Sequence, residues 1–128
     1  MLQVVAGIIR RGDRILICRR TPEQSHPLKW EFPGGKVEPG ETPAQALQRE
    51  LQEELDIRGA TCEEITRYEY AYPGKNPILL IFLRVREFTG EPRNLIFHEI
   101  SWEPVSALES FDFLEGDRDF LREFSHSS

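Results

Sequence analysis

Residues 35–57 read GKVEPGETPAQALQRELQEELDI, a loop broken by glycine and proline that passes into a helix. Thr42 stands where an N-cap belongs, Pro43 occupies the first helical position where a missing N–H does no harm, and Gln45 completes a capping box. The pattern predicts a helix from about Pro43 to Leu55. Ala44, Leu47, Leu51 and Leu55 recur every three or four residues and form one apolar face, which leaves Arg49, Glu50, Glu53 and Glu54 elsewhere on the helix surface. Glu50, Glu53 and Glu54, at i, i+3 and i+4, converge on one patch. Like charges so close repel by a few tenths of a kcal/mol per pair. Hard cations such as Mg²⁺ or Mn²⁺ would turn that repulsion into coordination. Taken alone, the triplet reads equally as a solvated acidic face.

Upstream, Gln3 to Arg10 is rich in β-branched residues, and Arg11-Gly12-Asp13 carries turn chemistry, so a hairpin into Arg14 to Arg19 is predicted. Thr21 to Lys29 reads as a loop and Trp30 to Phe32 as a short strand. Downstream, Thr61 to Tyr72 and Ile78 to Arg86 read as strands separated by the turn Pro73 to Pro77, and Ile96 to Trp102 as a last strand. Pro104 to Leu108 suggests a short helix, Asp117 to Phe124 a terminal one, and Ser125 to Ser128 a disordered tail. Strands on both sides of a strong helix imply an α/β chain with a mixed sheet between helices.

The 128 residues suit one domain, residues 1–128. With 39% hydrophobic and 30% charged residues the chain reads as globular, and no apolar run is long enough for a membrane span. The first ten residues are apolar in part, but Arg10, Arg11, Asp13 and Arg14 follow where a signal peptide needs small residues, so the cytoplasm is the expected compartment. Cys18 and Cys62 lack the spacing of a metal knuckle or redox pair and read as reduced core thiols. A net charge of −6 without a basic stripe argues against a nucleic-acid duplex as partner. A polyphosphate remains possible, because cations held by carboxylates can reverse the local field.

Gly35, Glu41, Arg49-Glu50-Leu51, Glu53-Glu54 and Ile57 keep the spacing G-x5-E-x7-R-E-U-x-E-E-x-G-U, with U apolar, and residues 35–57 thus resemble the Nudix box. With this composition, coincidence is a roughly one-in-a-million event per starting position, which lifts the acidic patch above a solvated face. Asp56 departs from the family's Gly at a place that calls for positive φ, which Asp tolerates at a small cost. The resemblance implies the Nudix α/β/α sandwich. It implies Glu50, Glu53 and Glu54 as ligands of Mg²⁺, with Mn²⁺ as a substitute and the carbonyl of Gly34 as a further ligand. Arg49 resembles an orienting arginine reaching Glu41 and Glu53. Glu50 is the first choice of general base and Glu53 the second.

Leu28-Lys29-Trp30-Glu31-Phe32-Pro33-Gly34-Gly35-Lys36, the Arg19-Arg20 pair and Gly90-Glu91-Pro92 before a strand containing Trp102 are similar to the MutT branch of that family. This resemblance implies a (d)NTP pyrophosphohydrolase releasing a nucleoside monophosphate and pyrophosphate from 8-oxo-dGTP or dGTP. A CTP, dCTP or 5-methyl-dCTP pyrophosphohydrolase is the alternative. A nucleotide-sensing domain without catalysis, or an interaction domain, is the alternative of another class. Arg20 is implied on the phosphate side, Phe32 in the base pocket, and Glu31, Gly34 and Lys36 among the substrate contacts. Asp117 falls where MutT reads the base edge with Asn. An ionised Asp accepts only, which favours a base presenting N–H donors; Asp117 equally suits an N-cap of the terminal helix. Ile96 stands where MutT has a Glu, and if the segment is a strand only His98 shares its face. The quaternary state is expected to be monomer or homodimer.

Overall fold

The computed structural model describes residues 1–127. Its opening strand β1 (Leu2–Ile8) sends Val5 to one side and Ala6 and Ile8 to the other, as the two-residue period of a strand requires. The same alternation runs through β3 (Arg14–Arg19), with Leu16 and Cys18 opposite Ile15 and Ile17. It recurs in β7 (Ile78–Thr89), with Ile81, Leu83 and Val85 opposite Leu80 and Phe82. Two cores result, one on each face. The first is closed by helix α1 (Pro43–Leu55) through Ala46, Leu47, Leu51 and Leu55, the second by helix α2 (Arg118–Ser127) through Phe120, Leu121 and Phe124. This is the expected layering of helix, strand and helix.

The strands form two sheets. One is mixed and runs β5-β1-β7-β6, with β5 at Gly34–Lys36 and β6 at Arg58–Tyr70; β1 and β7 are parallel and the other pairs antiparallel. The other is antiparallel and centres on β3, which pairs with β2 (Arg10–Arg11), β4 (Trp30–Glu31) and β8 (Glu99–Pro104). The long opening hairpin is therefore divided. Only β2 pairs with β3 around Gly12, while β1 belongs to the mixed sheet, because the chain changes sheet at the fully buried Ile9.

Other boundaries moved. Ile96 and His98 are bends, Phe97 between them is irregular, and the last strand starts at Glu99, so Ile96 and His98 do not share a strand face. The reason is a tether: the N–H groups of Arg93 and Leu95 donate to the carbonyls of Leu55 and Glu54 (2.8 and 3.1 Å), binding this segment to the end of α1 instead of a sheet. The short helix is a 3-10 helix, Val105–Ser110. The terminal helix starts one residue later than expected and continues to Ser127, so Ser125 to Ser127 are helical; Ser128 lies outside the described residues. Cys18 and Cys62 are free thiols, Cys18 buried and Cys62 half-buried.

Helix α1 is built as its caps dictate. Thr42 Oγ1 accepts from the Gln45 N–H (3.2 Å) and Gln45 Oε1 accepts from the Thr42 N–H (2.9 Å), closing the box. Asp56 ends the helix in the left-handed region, φ 57° and ψ 32°, the conformation that Gly would take at no steric cost. Leu51, wholly buried between α1 and the strands, tests this packing. Leu51→Ala should lower the unfolding free energy by about 2–5 kcal/mol in urea titrations. A loss below about 1 kcal/mol would mean the helix is not anchored there.

Candidate active site

Strand β5 lies between β1 and helix α1 with no room to spare. Gly34 pairs with Ala6 and Gly35 with Val5. A Cβ on Gly34 would fall 1.9 Å from the Val5 carbonyl oxygen, and one on Gly35 would fall 2.5 Å from the carboxyl carbon of Glu50. Two glycines thus let the helix bring its acids against backbone. The Gly34 N–H donates to Glu54 Oε1 (3.1 Å).

Glu54 is buried, and its carboxyl is pushed up to about 10, first by loss of water and then by the neighbouring Glu50 and Glu31; the Gly34 bond acts in the opposite direction. Glu50 keeps only 15% of its side chain exposed, and its Oε1 accepts from Arg49 (2.8 Å). Glu53 is different. It keeps 59% of its side chain exposed and lies 3.6 Å from Arg49, outside the acid pair. Among the described residues, no three His, Cys, Asp or Glu side chains gather closely enough to enclose a metal ion. The chemistry of the donors still fits one: Glu50 and Glu54 are packed carboxyl groups of which only Glu50 meets a guanidinium, and a hard divalent cation would let both ionise.

Arg49 is the hub of the loop before the helix. Its guanidinium donates to both oxygens of Glu41 (2.8 and 3.0 Å), to Glu50 and to the Lys36 carbonyl (3.0 Å). The Arg49 bond, followed by a backbone bond from Glu38, holds the Glu41 carboxyl down at about 2.

Beside the acid pair opens a cavity of about 340 Å³. Arg20, Glu31, Phe32, Gly34, Lys36, Glu50, Glu54 and Asp117 all line it, so the expected substrate residues are brought together, whereas Glu53 and Arg49 stay outside its wall. Phe32 is mostly core, its ring 5.2 Å from Phe113 and 5.8 Å from Phe120. Arg20 is already engaged: it donates to Glu31 (3.1 and 3.2 Å) and to the carbonyl and hydroxyl of Ser25 (2.7 and 3.0 Å). Lys36 forms no ion pair among the described residues. Ile96 and Phe97 make an apolar lip where a carboxylate was looked for.

Asp117 closes the far end, 6% exposed. Its carboxylate accepts no hydrogen bond among the described residues, so it does not cap α2. Burial pushes its carboxyl up to about 8, with Glu31 adding to the rise and Arg20 opposing it. Burial also raises Glu31, against the pull of Arg20. Burial therefore favours the protonated form of Asp117, which both donates and accepts, over the ionised form expected from the sequence. Tyr72, Gln24, His26, Val4, Ile78 and Leu80 also line the cavity. Of these only Tyr72 had a visible signal, the alternation of tyrosines in Tyr68-Glu69-Tyr70-Ala71-Tyr72.

One cavity is thus walled by the acid pair Glu50 and Glu54 and by the polar groups of Glu31 and Asp117. The NUDIX domain family matches residues 1–124, and the chain belongs to it. It is a Nudix hydrolase of the MutT type, an enzyme of nucleotide pyrophosphate bonds, and such enzymes generally work with a divalent metal. It is 41% identical over 114 residues to an 8-oxo-dGTP diphosphatase of Haemophilus influenzae, with 88% of this chain and 83% of that protein covered. It is 43% identical over 75 residues to a CTP pyrophosphohydrolase of Escherichia coli, with 59% and 56% covered. The solution structure of the Escherichia coli ORF135 protein superposes with a TM-score of 0.86 at 34% identity, covering 98% of this chain and 89% of that one. Among the described residues no helix is long and apolar enough to cross a membrane.

The raised Asp117 carboxyl fixes a pH dependence. Between about 4 and 8 the unfolded chain has lost that proton while the folded one keeps it, so folded stability falls as pH rises through this window. Asp117→Asn, which cannot ionise, should make the decline in Tm from pH 5 to pH 8.5 shallower than in the unaltered protein. Identical slopes would mean that Asp117 is ionised in the fold.

Proposed function

We propose that this protein hydrolyses nucleoside triphosphates to the monophosphate and pyrophosphate, with 8-oxo-dGTP and dGTP as preferred substrates. The observation that carries the reading is the single cleft joining Glu50 and Glu54 to the Asp117 and Glu31 recess. It suits a ligand with a polyphosphate at one end and a hydrogen-bonding base at the other. The identity to an 8-oxo-dGTP diphosphatase supports the guanine choice.

In this reading Glu50, Glu53, Glu54 and the Gly34 carbonyl would hold Mg²⁺, or Mn²⁺ in its place, and the bound ion would polarise phosphate oxygens and lower the pKa of an attacking water. Glu50 would be the group that accepts the attacking water's proton, its Oε1 held by Arg49 and its carboxyl in contact with Glu54. Glu53 is the second choice, exposed and able to swing. Arg49 keeps Glu50 and Glu41 in fixed rotamers. Lys36 offsets phosphate charge, a duty shared less by Arg20, whose donors already serve Glu31 and Ser25. Phe32 lines the base recess, and Asp117 and Glu31 meet the base edge. The chain acts as one unit over residues 1–128, in the cytoplasm among free nucleotides, as a monomer or homodimer.

The cytosine reading keeps a place because a neutral Asp117 matches the N3 and 4-amino pair of cytosine as well as the O6 and N1–H pair of guanine. The similarity to a CTP pyrophosphohydrolase favours it too. Comparing kcat/KM for 8-oxo-dGTP, dGTP, dCTP and 5-methyl-dCTP with Mg²⁺ decides between them. Phosphate should be detected only after pyrophosphatase is added; direct release of phosphate would contradict attack at that bond. Glu53→Gln, at an exposed position, should cost at least about 10-fold in kcat if Glu53 is a ligand, the lower end seen even for outer-shell partners. Unchanged turnover would remove it from the site, and no turnover of any triphosphate would favour a sensor.

A further inference from the structure

All three tyrosines of the chain fall at positions 68, 70 and 72, two residues apart, at the end of β6 and just beyond it. Alternation puts them on one face, and there they meet Gly116, the residue before Asp117. The Tyr72 hydroxyl accepts from the Gly116 N–H (3.0 Å), and the Tyr68 hydroxyl donates to the Gly116 carbonyl (2.6 Å). Tyr68 also accepts from the Phe120 N–H (3.2 Å), one of the N–H groups that the first turn of α2 leaves without a helical partner. A Cβ on Gly116 would fall 2.9 Å from the Tyr72 hydroxyl and 3.3 Å from the ring of Tyr70, so any larger residue there would press on the hydroxyl. The peptides on both sides of Gly116 are thus pinned to β6. Asp117 itself adds only its backbone bond to the Leu114 carbonyl (3.0 Å).

We infer that Tyr72 and Tyr68 are positioning residues for nucleotide selection: their hydroxyls fix the Gly116 peptides, and through them the reach of the Asp117 carboxyl into the cleft. The inference rests on the reading of Asp117 as the group that meets the base. A carboxyl with no side-chain hydrogen bond of its own takes its placement from the backbone it hangs on. Here that backbone is held by Tyr68 of β6 and by Tyr72 just beyond it. Tyr72 also lines the cleft, and its ring packs against His26 (4.7 Å) and Tyr70 (4.8 Å). Its hydroxyl accepts from Gly116, and Gly116→Ala tests this bond apart from any direct contact of Tyr72 with the base.

The test is Tyr72→Phe, which keeps the ring and removes the acceptor, read as the ratio of kcat/KM for 8-oxo-dGTP to that for dCTP with saturating Mg²⁺. A loss of folded fraction lowers both values together and leaves the ratio unmoved. Release of the Gly116 N–H should shift the ratio by roughly 5- to 20-fold, through KM of the preferred substrate with kcat nearly unchanged. Gly116→Ala, which forces the peptide off the hydroxyl, should move it in the same direction. Asp117→Ala separates the two ideas. If it leaves the ratio where it was, the reading of Asp117 fails and the inference with it. If it shifts the ratio while Tyr72→Phe and Gly116→Ala do not, the reading stands and the tyrosine clamp is overturned.

Discussion

The structure depends on one close approach, that of helix α1 to strand β5. The helix must bury Leu47, Leu51 and Leu55 and on the same turns deliver Glu50 and Glu54 to a strand of bare glycines. Neither demand leaves slack. The leucines fix the rotation of the helix about its axis, and that rotation decides which acids turn inward. With Leu51 buried, Glu50 and Glu54 follow on the inner side and Glu53 on the outer. Burying two carboxylates together is costly by itself. It is tolerated through the Gly34 N–H, the Arg49 guanidinium and the proton that Glu54 retains.

The two ends of the cleft follow different designs. At the acid end, burial holds Glu54 toward its neutral form, and Arg49 clamps the rest through bonds to Glu41, Glu50 and the Lys36 carbonyl that tie loop, helix and strand into one piece. At the other end, charge is suppressed: Asp117 and Glu31 are pushed toward the neutral form by burial. A neutral recess discriminates by the pattern of donors and acceptors instead of by net charge. That suits a base better than a phosphate.

Local chemistry was plain in the sequence, and long-range juxtaposition was not. Thr42, Pro43 and Gln45 specified the start of α1, because a cap is made within four residues, and Asp56 marked its end. The carboxylate patch was legible for the same reason, though helical spacing placed Glu53 with its neighbours, whereas Arg49 and solvent draw it outward. The splitting of the strands into two sheets was hidden, since a buried Ile9 reads the same in a continuous strand as at a crossing. Residues 96–98 have strand composition and lack strand structure because backbone bonds to the end of α1 claim the preceding residues, a partner some 40 positions away. The protonation of Asp117 was invisible for a similar reason: only the fold sets Glu31 beside it and excludes water.

Cys18 gives the arrangement one more consequence. Its thiol is fully buried, and burial together with the fields of Glu54 and Glu31 holds it well above the usual thiol range. A thiol so reluctant to become thiolate is a poor target for peroxide. Met1, 70% exposed, is the chain's one methionine. The thiol that feels the fields of Glu54 and Glu31 thus stays chemically quiet beside the acids of the cleft.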